Sequence, residues 1–176
     1  MALGFVDGDG YLDVAFANEF SLNQVCLGDG SGSFAPCSEI TADQLLRSSS
    51  VSLGDLDGDG NLDATFANRV GDRNRVCLGD GNGGFPFCAD VSAHTDSTQG
   101  VELGLVDGDD VLDAVFANVD ENLVCLGDGR GGFASCEQVS DDMFATIWLA
   151  LGELGSNLFA DGFESGDTSA WSTAVP

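Results

Sequence analysis

The chain has 176 residues, of which 30 are acidic and only 5 are basic, so its formal net charge at neutral pH is −25. Nucleic acids and anionic membranes carry charge of the same sign and are therefore poor partners. The 25 glycines disfavour long helices, and no segment shows a sustained apolar period of 3.6 residues. These features favour an all-β protein.

Three segments with the same pattern follow one another along the chain. They start with ALGFVDGDGYLDVAFAN at Ala2, SLGDLDGDGNLDATFAN at Ser52 and ELGLVDGDDVLDAVFAN at Glu102, 50 residues apart. Each continues, after a variable stretch, with a glycine-rich run such as NRVCLGDGNGGFPFC at 74–88. A fixed period of this length predicts a repeat protein. We assign residues 1–43, 44–93 and 94–140 to three repeats, 141–157 to the degenerate start of a fourth, and 158–176 to a tail.

Each repeat is predicted to contain four short antiparallel strands. In the second repeat the strand-like runs are SVSLGD, LDATFAN, RVCLGD and GGFPFCADV, separated by turns rich in Asp and Gly. Four such strands in a period near 50 residues predict the blade of a β-propeller. A helical EF-hand is disfavoured, because Thr65 and Phe66 lie where its twelfth loop position requires Glu.

The run DLDGDGNLD at 55–63 concentrates negative charge in one predicted loop. Carboxylates this close repel one another unless a cation offsets the repulsion. Their oxygen-only pattern suits Ca²⁺ better than Mg²⁺ or Zn²⁺. The predicted calcium ligands are the side chains of Asp55, Asp57, Asp59 and Asp63 and the carbonyl of Asn61. The alternative is a solvated Asp/Gly turn.

The six cysteines form three pairs whose members lie 11 residues apart. The two cysteines of a pair flank the glycine-rich turn, where a hairpin brings opposite residues to disulfide distance. We predict the bridges Cys26–Cys37, Cys77–Cys88 and Cys125–Cys136. Three pairs of reduced, buried thiols are the alternative, and a Zn²⁺ site is disfavoured because no pair has C-x-x-C spacing. Disulfides indicate an oxidising compartment, so we expect an extracellular or cell-surface protein.

The combination of D-x-D-G-D-G-x-x-D, FAN and LGDGxGxF resembles the FG-GAP or VCBS-type repeat. This repeat occurs in integrin α-chain propellers and in many secreted bacterial proteins. The resemblance covers residues 2–140. It implies a β-propeller that holds Ca²⁺ in the loop between the first and second strands of a blade, and a role in adhesion or ligand recognition.

The resemblance also implies calcium sites in the first and third repeats, each lacking one carboxylate. Phe5 and Leu105 stand at the first ligand position. The remaining ligands are Asp7, Asp9, Tyr11 and Asp13 in the first loop and Asp107, Asp109, Val111 and Asp113 in the third, with Tyr11 and Val111 contributing carbonyls. Since affinity follows ligand charge and number, we expect the second site to be the strongest. Asp110 replaces a glycine, and we expect it to adopt the left-handed backbone that Asp tolerates.

Three blades are too few for a closed propeller, which has about 4 to 8. The run LALGELGS at 149–156 aligns with VELGLVDG and predicts the first strand of a fourth unit without calcium, because Gly155 and Ser156 replace ligand positions. Because the end blades would be left exposed, we expect a fragment of a longer propeller, an assembly of chains or an open stack. No leader is visible after Met1, so we expect that a leader and earlier repeats are missing or that the chain is a cut piece. The tail resembles the ends of secreted bacterial proteins, and we expect Trp171 to be a buried or disordered residue there rather than a sugar-stacking one.

We therefore expect a calcium-stabilised extracellular module for adhesion or for recognition of a protein or glycan surface. The alternative is a purely structural module of a larger secreted protein or enzyme. Catalysis by this chain is disfavoured, because its only histidine, His94, lies with Ser92 and Asp96 in a predicted connecting loop. No run is long enough to span a bilayer, so membrane insertion is not expected. Further blades of a longer chain or self-association should cover the ends of the blade array.

Overall fold

The computed structural model describes residues 1–40, 46–139 and 146 of the chain. These residues form β-strands and turns without a helix, so the predicted all-β class is confirmed. The strands are β1 (Ala2–Gly4), β2 (Asp13–Phe16), β3 (Gln24–Cys26), β4 (Ser38–Glu39), β5 (Ser48–Gly54), β6 (Asp63–Asn68), β7 (Arg75–Leu78), β8 (Phe87–Asp90), β9 (Thr98–Gly104), β10 (Asp113–Asn118), β11 (Leu123–Gly127) and β12 (Phe133–Gln138). The predicted fourth unit, apart from Thr146, and the predicted tail lie outside the described residues.

Consecutive strands pair into three separate four-stranded antiparallel sheets. Strands β1–β4 form blade 1, β5–β8 form blade 2 and β9–β12 form blade 3, each in chain order. The sheets do not close into a barrel, and the prediction of partial propeller-like blades is confirmed. Because neighbouring strands are antiparallel, the loop after the first strand and the hairpin after the third lie at the same end of a blade.

The second strand of a blade is buried on both of its faces. Along β6, Ala64 and Phe66 project to one face while Thr65 and Ala67 project to the other, and all four are buried. A strand that is apolar on both sides needs a packing neighbour on each side. The blades are therefore stacked face to face.

Two apolar cores lie between successive blades. We name the face that packs on the next blade the trailing face, and the face that packs on the preceding blade the leading face. The first core joins Val6, Ala15, Val25 and Ile40 on the trailing face of blade 1 to Val51, Ala64, Phe66, Cys77 and Phe85 on the leading face of blade 2. The second joins Leu56, Ala67, Val76 and Val91 of blade 2 to Val101, Ala114, Phe116, Leu123 and Cys125 of blade 3.

A recurrent asparagine fixes the loop that follows the second strand of each blade. In blade 2, Asn68 donates from its backbone N–H to Asn74 Oδ1 (2.8 Å) and from Nδ2 to the carbonyl of Arg73 (2.6 Å), while its Oδ1 accepts from Ser48 Oγ. Asn18 and Asn118 donate the equivalent two bonds in blades 1 and 3. The asparagine of the FAN motif is therefore a structural residue that holds the loop closed.

The same loops tie one blade to the next. Asn23 Nδ2 donates to Ser48 Oγ across blades 1 and 2 (2.9 Å), and Ser48 N donates to the carbonyl of Asn18 (3.2 Å). Thr146 repeats this arrangement beyond blade 3, since its Oγ1 accepts from Asn122 Nδ2 (2.9 Å) and its N–H donates to the carbonyl of Asn118 (2.9 Å). Thr146 thus holds the place after blade 3 that Ser48 holds after blade 1.

The three predicted disulfides are present, and each joins the third strand of a blade to the segment that follows the hairpin. Cys77 lies directly opposite Cys88 in the β7–β8 ladder, and Cys125 lies opposite Cys136 in the β11–β12 ladder. Closing a loop of this length stabilises a fold by about 3 kcal/mol in the chain-entropy model. The bridges therefore secure the outer strands, which bury the least apolar surface.

We predict that Thr65→Val raises the free energy of unfolding by about 1 kcal/mol. Thr65 is fully buried on the trailing face of blade 2, and its hydroxyl has no hydrogen-bond partner. Valine already occupies the equivalent place in blade 3, at Val115. Urea denaturation measures the change.

The matched control is Ser48→Ala, which removes a buried hydroxyl that accepts from Asn23 and donates to Asn68 Oδ1 (2.7 Å). This variant should lose stability by about 1–3 kcal/mol, because it leaves buried partners unsatisfied. Equal losses in both variants would show that the hydroxyl of Thr65 is satisfied in solution.

Candidate functional site

The aspartate loops lie at one end of each blade, between its first and second strands. The second loop begins after Gly54, the last residue of β5, and ends at Asp63, the first residue of β6. Gly58 and Gly60 have φ angles of 76° and 89°, in the left-handed region that suits glycine. These two residues let the loop fold back on itself and bring its carboxylates together.

Three carboxylates of the second loop converge. Oxygens of Asp55, Asp57 and Asp59 all lie within 4.8 Å of one another, on side chains that are half-buried or exposed. Oxygens at this separation can be bridged by one cation, since Ca²⁺ binds its ligands at about 2.3–2.6 Å. Three of the five predicted ligands of this loop are thus brought together around one point.

Backbone N–H groups orient the same carboxylates. Asp55 accepts from Gly58 N (2.8 Å) on one oxygen and from Gly60 N (3.0 Å) on the other. Asp57 accepts from Asp59 N (3.1 Å), and Asp59 accepts from Asn61 N (2.8 Å). Such short-range bonds are typical of aspartates in turns. Each carboxylate keeps lone pairs free for a cation.

Asp63, the fifth predicted ligand, is buried and performs a second task. Its two oxygens accept from Leu56 N (2.8 Å) and Gly79 N (2.8 Å), so it closes the loop and joins it to the β7–β8 hairpin. Asp13 bonds to Val6 N and Gly28 N in the same way, and Asp113 bonds to Val106 N and Gly127 N. We name these last aspartates of the loops the brace aspartates.

Burial raises the pKa of Asp63 above its ordinary value, the two backbone N–H bonds oppose the rise, and the charges of Asp57 and Asp59 add to it. Because the folded pKa exceeds the unfolded one, ionised Asp63 lowers the stability of the fold progressively as the pH rises through that interval. A cation beside these carboxylates would favour the ionised form and offset this loss.

The other two loops differ from the second and from each other. In the third loop, Asp107, Asp109 and Asp113 also bring oxygens within 4.8 Å of one another. Among the described residues, Asp7, Asp9 and Asp13 of the first loop do not form such a group. The predicted carbonyl ligands Tyr11, Asn61 and Val111 stay predictions, as does the expected order of affinities.

One expectation about the third loop is wrong. Asp110 does not take the left-handed conformation, since Val70 (φ 57°) is the only described residue other than glycine with a positive φ. The loop still turns, because Asp107 accepts from Asp109 N (3.0 Å) and Asp109 accepts from Val111 N (2.8 Å). The same two side-chain bonds occur in the first and second loops, which have glycine at this position, so the third loop keeps them without a left-handed residue there.

A cavity of about 200 Å³ lies between blades 1 and 2, beside the β7–β8 hairpin. Val25, Ile40, Phe85 and Pro86 supply its apolar lining, while Ser38, Glu39 and Asp80 supply polar groups. At the place in blade 2 that corresponds to Glu39, Asp90 is bound by Arg73 (2.8 Å) and Arg75 (2.7 Å), which hold its pKa below the ordinary value. Blade 1 has Leu22 and Gln24 in place of these arginines.

Sequence reasoning missed the role of the brace aspartates, which it assigned only as metal ligands. The available signal was their position, because each brace aspartate is the first residue of the most buried strand of its blade. A carboxylate at the edge of a core needs hydrogen-bond donors, and a tight loop and a hairpin provide them.

Comparisons with known proteins bear on this arrangement. A family model described as an FG-GAP-like repeat matches residues 6–66, from the first aspartate loop to the middle of β6. No curated protein matches the chain.

One matching structure is that of an Agrocybe aegerita lectin described as specifically recognising non-reducing terminal N-acetylglucosamine. The two chains are 22% identical, with a TM-score of 0.53 over 81% of this chain and 38% of the lectin chain. This similarity concerns the fold.

In the described part of the chain no helix is long and apolar enough to cross a membrane.

We predict that Asp63→Asn lowers the free energy of unfolding by about 1–3 kcal/mol, since an amide cannot accept both N–H bonds that the carboxylate accepts. Denaturation in EDTA isolates this effect from cation binding. The matched control, Asp59→Asn, changes an exposed carboxylate and should shift stability by less than about 0.5 kcal/mol. Equal effects of the two substitutions would refute the structural role that we assign to Asp63.

Proposed function

We propose that this chain, whose residues 6–66 carry an FG-GAP-like repeat, is a calcium-binding extracellular recognition module. The observation that carries the proposal is the convergence of the Asp55, Asp57 and Asp59 carboxylates within one loop of a blade. The site would hold Ca²⁺ through carboxylate and carbonyl oxygens, and the ion would serve to rigidify the loop.

The electrostatics of the loop support a cation. Three carboxylates at this distance repel one another, and the arginines Arg73 and Arg75 are engaged by Asp90. A hard divalent ion satisfies several oxygens at once and suits flexible oxygen coordination, whereas Zn²⁺ prefers nitrogen and sulfur ligands. A calcium site therefore explains why the loop retains so many carboxylates.

Three disulfides and an FG-GAP-like repeat fit an extracellular protein. Disulfides persist in oxidising compartments and are rare in the cytosol. Extracellular calcium is also abundant enough to occupy sites with dissociation constants of about 10⁻⁴–10⁻³ M. The two features support the same location.

A binding role is favoured over catalysis by the surroundings of His94. Its Nδ1 lies 3.9 Å from Asp96 Oδ2 in an exposed connection between β8 and β9, and Ser92 Oγ accepts from its backbone N–H. A catalytic triad needs its imidazole bonded to a nucleophile in a site shielded from water. The described residues around His94 offer an open loop instead.

Recognition of a glycan or protein surface is the function we assign to the blades. The cavity between blades 1 and 2 supports a glycan ligand, because it combines apolar walls with the hydrogen-bond acceptors Glu39 and Asp80. Small-molecule sites combine apolar walls with a few placed polar groups in this way. A purely structural module of a larger secreted protein or enzyme is the second candidate, favoured by the regular stacking of the blades.

We predict that the chain binds Ca²⁺ with a dissociation constant at or below about 1 mM, measured by calorimetry on oxidised protein. Saturation at 100 times the dissociation constant should stabilise the fold by about 2.7 kcal/mol. Asp57→Asn should weaken binding at the second loop about tenfold or more.

The matched control is Asp120→Asn, which changes an exposed carboxylate in the β10–β11 loop and should leave the titration unchanged. Absence of heat and of a melting shift in the wild type would reject the calcium site. The loops would then be solvated turns held by their own hydrogen bonds.

We predict calcium-dependent binding to glycans, and terminal N-acetylglucosamine is the first probe because the lectin of similar fold is described as recognising it. Binding of the protein to immobilised glycans, with and without Ca²⁺, measures the interaction. Glu39→Gln should reduce binding about tenfold, since a carboxylate forms a stronger bond to a sugar hydroxyl than an amide does. Glu137→Gln, on β12, is the control. Calcium-dependent melting without any glycan or protein ligand would favour the structural module.

A further inference from the structure

The end of blade 2 that lies away from its aspartate loop carries most of the positive charge of the chain. The start of β5, the end of β6 and the start of β7 meet at this end, because the three strands are antiparallel. Four of the five basic residues of the chain lie there, namely Arg47, Arg69, Arg73 and Arg75. A chain with a formal net charge of −25 thus gathers its few cations at one end of one blade.

Two of these arginines are neutralised by the protein and two are not. Asp90 forms ion pairs with Arg73 (2.8 Å) and Arg75 (2.7 Å). Among the residues that the structure describes, no ion pair involves Arg47 or Arg69. The Nε atom of Arg69 is also buried without a hydrogen-bond partner. A buried donor without an acceptor lowers stability, so this guanidinium lacks a partner that the fold does not provide.

The two unpaired arginines lie opposite each other on neighbouring segments. Just beyond the end of the β5–β6 ladder, the N–H of Arg69 donates to the carbonyl of Arg47 (2.9 Å). Opposite residues of an antiparallel pair have Cβ atoms about 4.5–5.5 Å apart, and like charges at this distance repel each other. In blade 3 the equivalent bond joins Val119 to Ser97, which are uncharged. Blade 2 therefore holds two like charges together where blade 3 holds none.

The turn that follows Arg69 is fixed by its neighbours. Val70 has a φ angle of 57°, which a β-branched residue rarely adopts, and its N–H donates to Ser97 Oγ (3.3 Å). The N–H of Asp72 donates to the carbonyl of Arg69 (3.2 Å), and Asp72 Oδ2 accepts from the N–H of Arg47 (3.2 Å). Strained backbone that is held by surrounding bonds is frequent at ligand sites. These bonds fix the backbone positions of both arginines.

We propose that Arg47 and Arg69 form a binding site for one oxyanion, a sulfate or carboxylate group that is either free or carried by a sugar. Guanidinium groups bind such anions strongly, because their N–H donors match the spacing of the oxygens. An anion between the two arginines offsets their repulsion and offers an acceptor to the Arg69 guanidinium. The site lies at the opposite end of blade 2 from the aspartate loop and does not depend on calcium there.

The net charge of the chain limits which anions can bind. A formal charge of −25 repels long polyanions. Two acidic residues also lie in the segments around the site. Asp72 is bonded to the backbone of Arg47, and Asp96 lies beside His94, with 3.9 Å between Oδ2 and Nδ1. The ligand therefore carries one anionic group on an otherwise uncharged molecule, and added salt should weaken its binding by screening the arginines.

Calorimetric titration of the full 176-residue chain with sodium sulfate and with glucuronate, at constant ionic strength, tests the proposal. Glucose is the uncharged comparison. We expect saturable binding of an anionic probe and none of glucose. Binding of sulfate alone would assign the site to free anions, and binding of glucuronate would assign it to acidic sugars. Saturation with neither anion overturns the proposal. The titration is made in EDTA, so its outcome is independent of the proposed calcium site.

Single substitutions identify the residues that bind. Arg47→Gln and Arg69→Gln should each weaken the anion about tenfold or more, because each removes hydrogen bonds from a charged donor. The matched control is Arg130→Gln, which makes the same change of charge at an exposed position in the β11–β12 hairpin of blade 3. It should bind like the wild type. An equal loss in Arg130→Gln would show a general attraction of the anion to the protein and would overturn the proposal.

A conservative variant and thermal melting separate binding from folding. Arg69→Lys keeps the charge but loses the paired donors, so its affinity should lie between those of the wild type and Arg69→Gln. An affinity no higher than that of Arg69→Gln would contradict the proposal. Sulfate stabilises proteins in general by its exclusion from their surface. The melting temperature of the wild type should therefore rise more with sulfate than that of the double variant Arg47→Gln with Arg69→Gln, and equal rises would also contradict the proposal.

Discussion

The architecture depends on one constraint, which is that both faces of every blade are apolar and neither can face water without loss. Burying apolar surface contributes about 25 cal/mol per Å², and a four-stranded sheet with two apolar faces gains this only between two neighbours. Blade 2 has a neighbour on each side, and Phe66 and Thr65 on its opposite faces are both fully buried. The tertiary structure is therefore held together by the packing of blade on blade. Within each blade, the strands are held by the hydrogen-bonded ladders and by a disulfide.

The aspartates at the ends of the blades serve two physical tasks that one sequence pattern combines. The brace aspartate is buried and satisfied by two backbone N–H groups, so it determines how the loop meets the hairpin. The earlier aspartates lie nearer the solvent and concentrate charge at one point. The brace is present in all three blades, whereas among the loops that the structure describes only the second and third gather three acidic side chains. Loop shape is thus maintained separately from the capacity to hold a cation.

The sequence predicts the strands, the blades and the disulfides, because period, turn residues and cysteine spacing are all local signals. It does not reveal the dual role of Asp63, since the N–H donors of Leu56 and Gly79 come together only in the folded blade. The backbone at Asp110 also escapes prediction, because Asp tolerates both left-handed and ordinary conformations and the sequence does not show which one it takes. Likewise, a buried threonine without a partner, Thr65, is indistinguishable in sequence from a satisfied one.

Charged and apolar surfaces lie in different parts of each blade. Salt and cations therefore affect the loops and the packing between blades differently. The acidic loops lie at the ends of the strands, while the faces that stack carry aliphatic and aromatic side chains. Repulsion among exposed carboxylates is weakened by salt and by bound cations, whereas face-to-face packing responds to neither in the same way. We therefore expect a bound cation to act on the loops first, and through them on residues such as Leu56, whose N–H bonds to Asp63 and whose side chain lies in the second core.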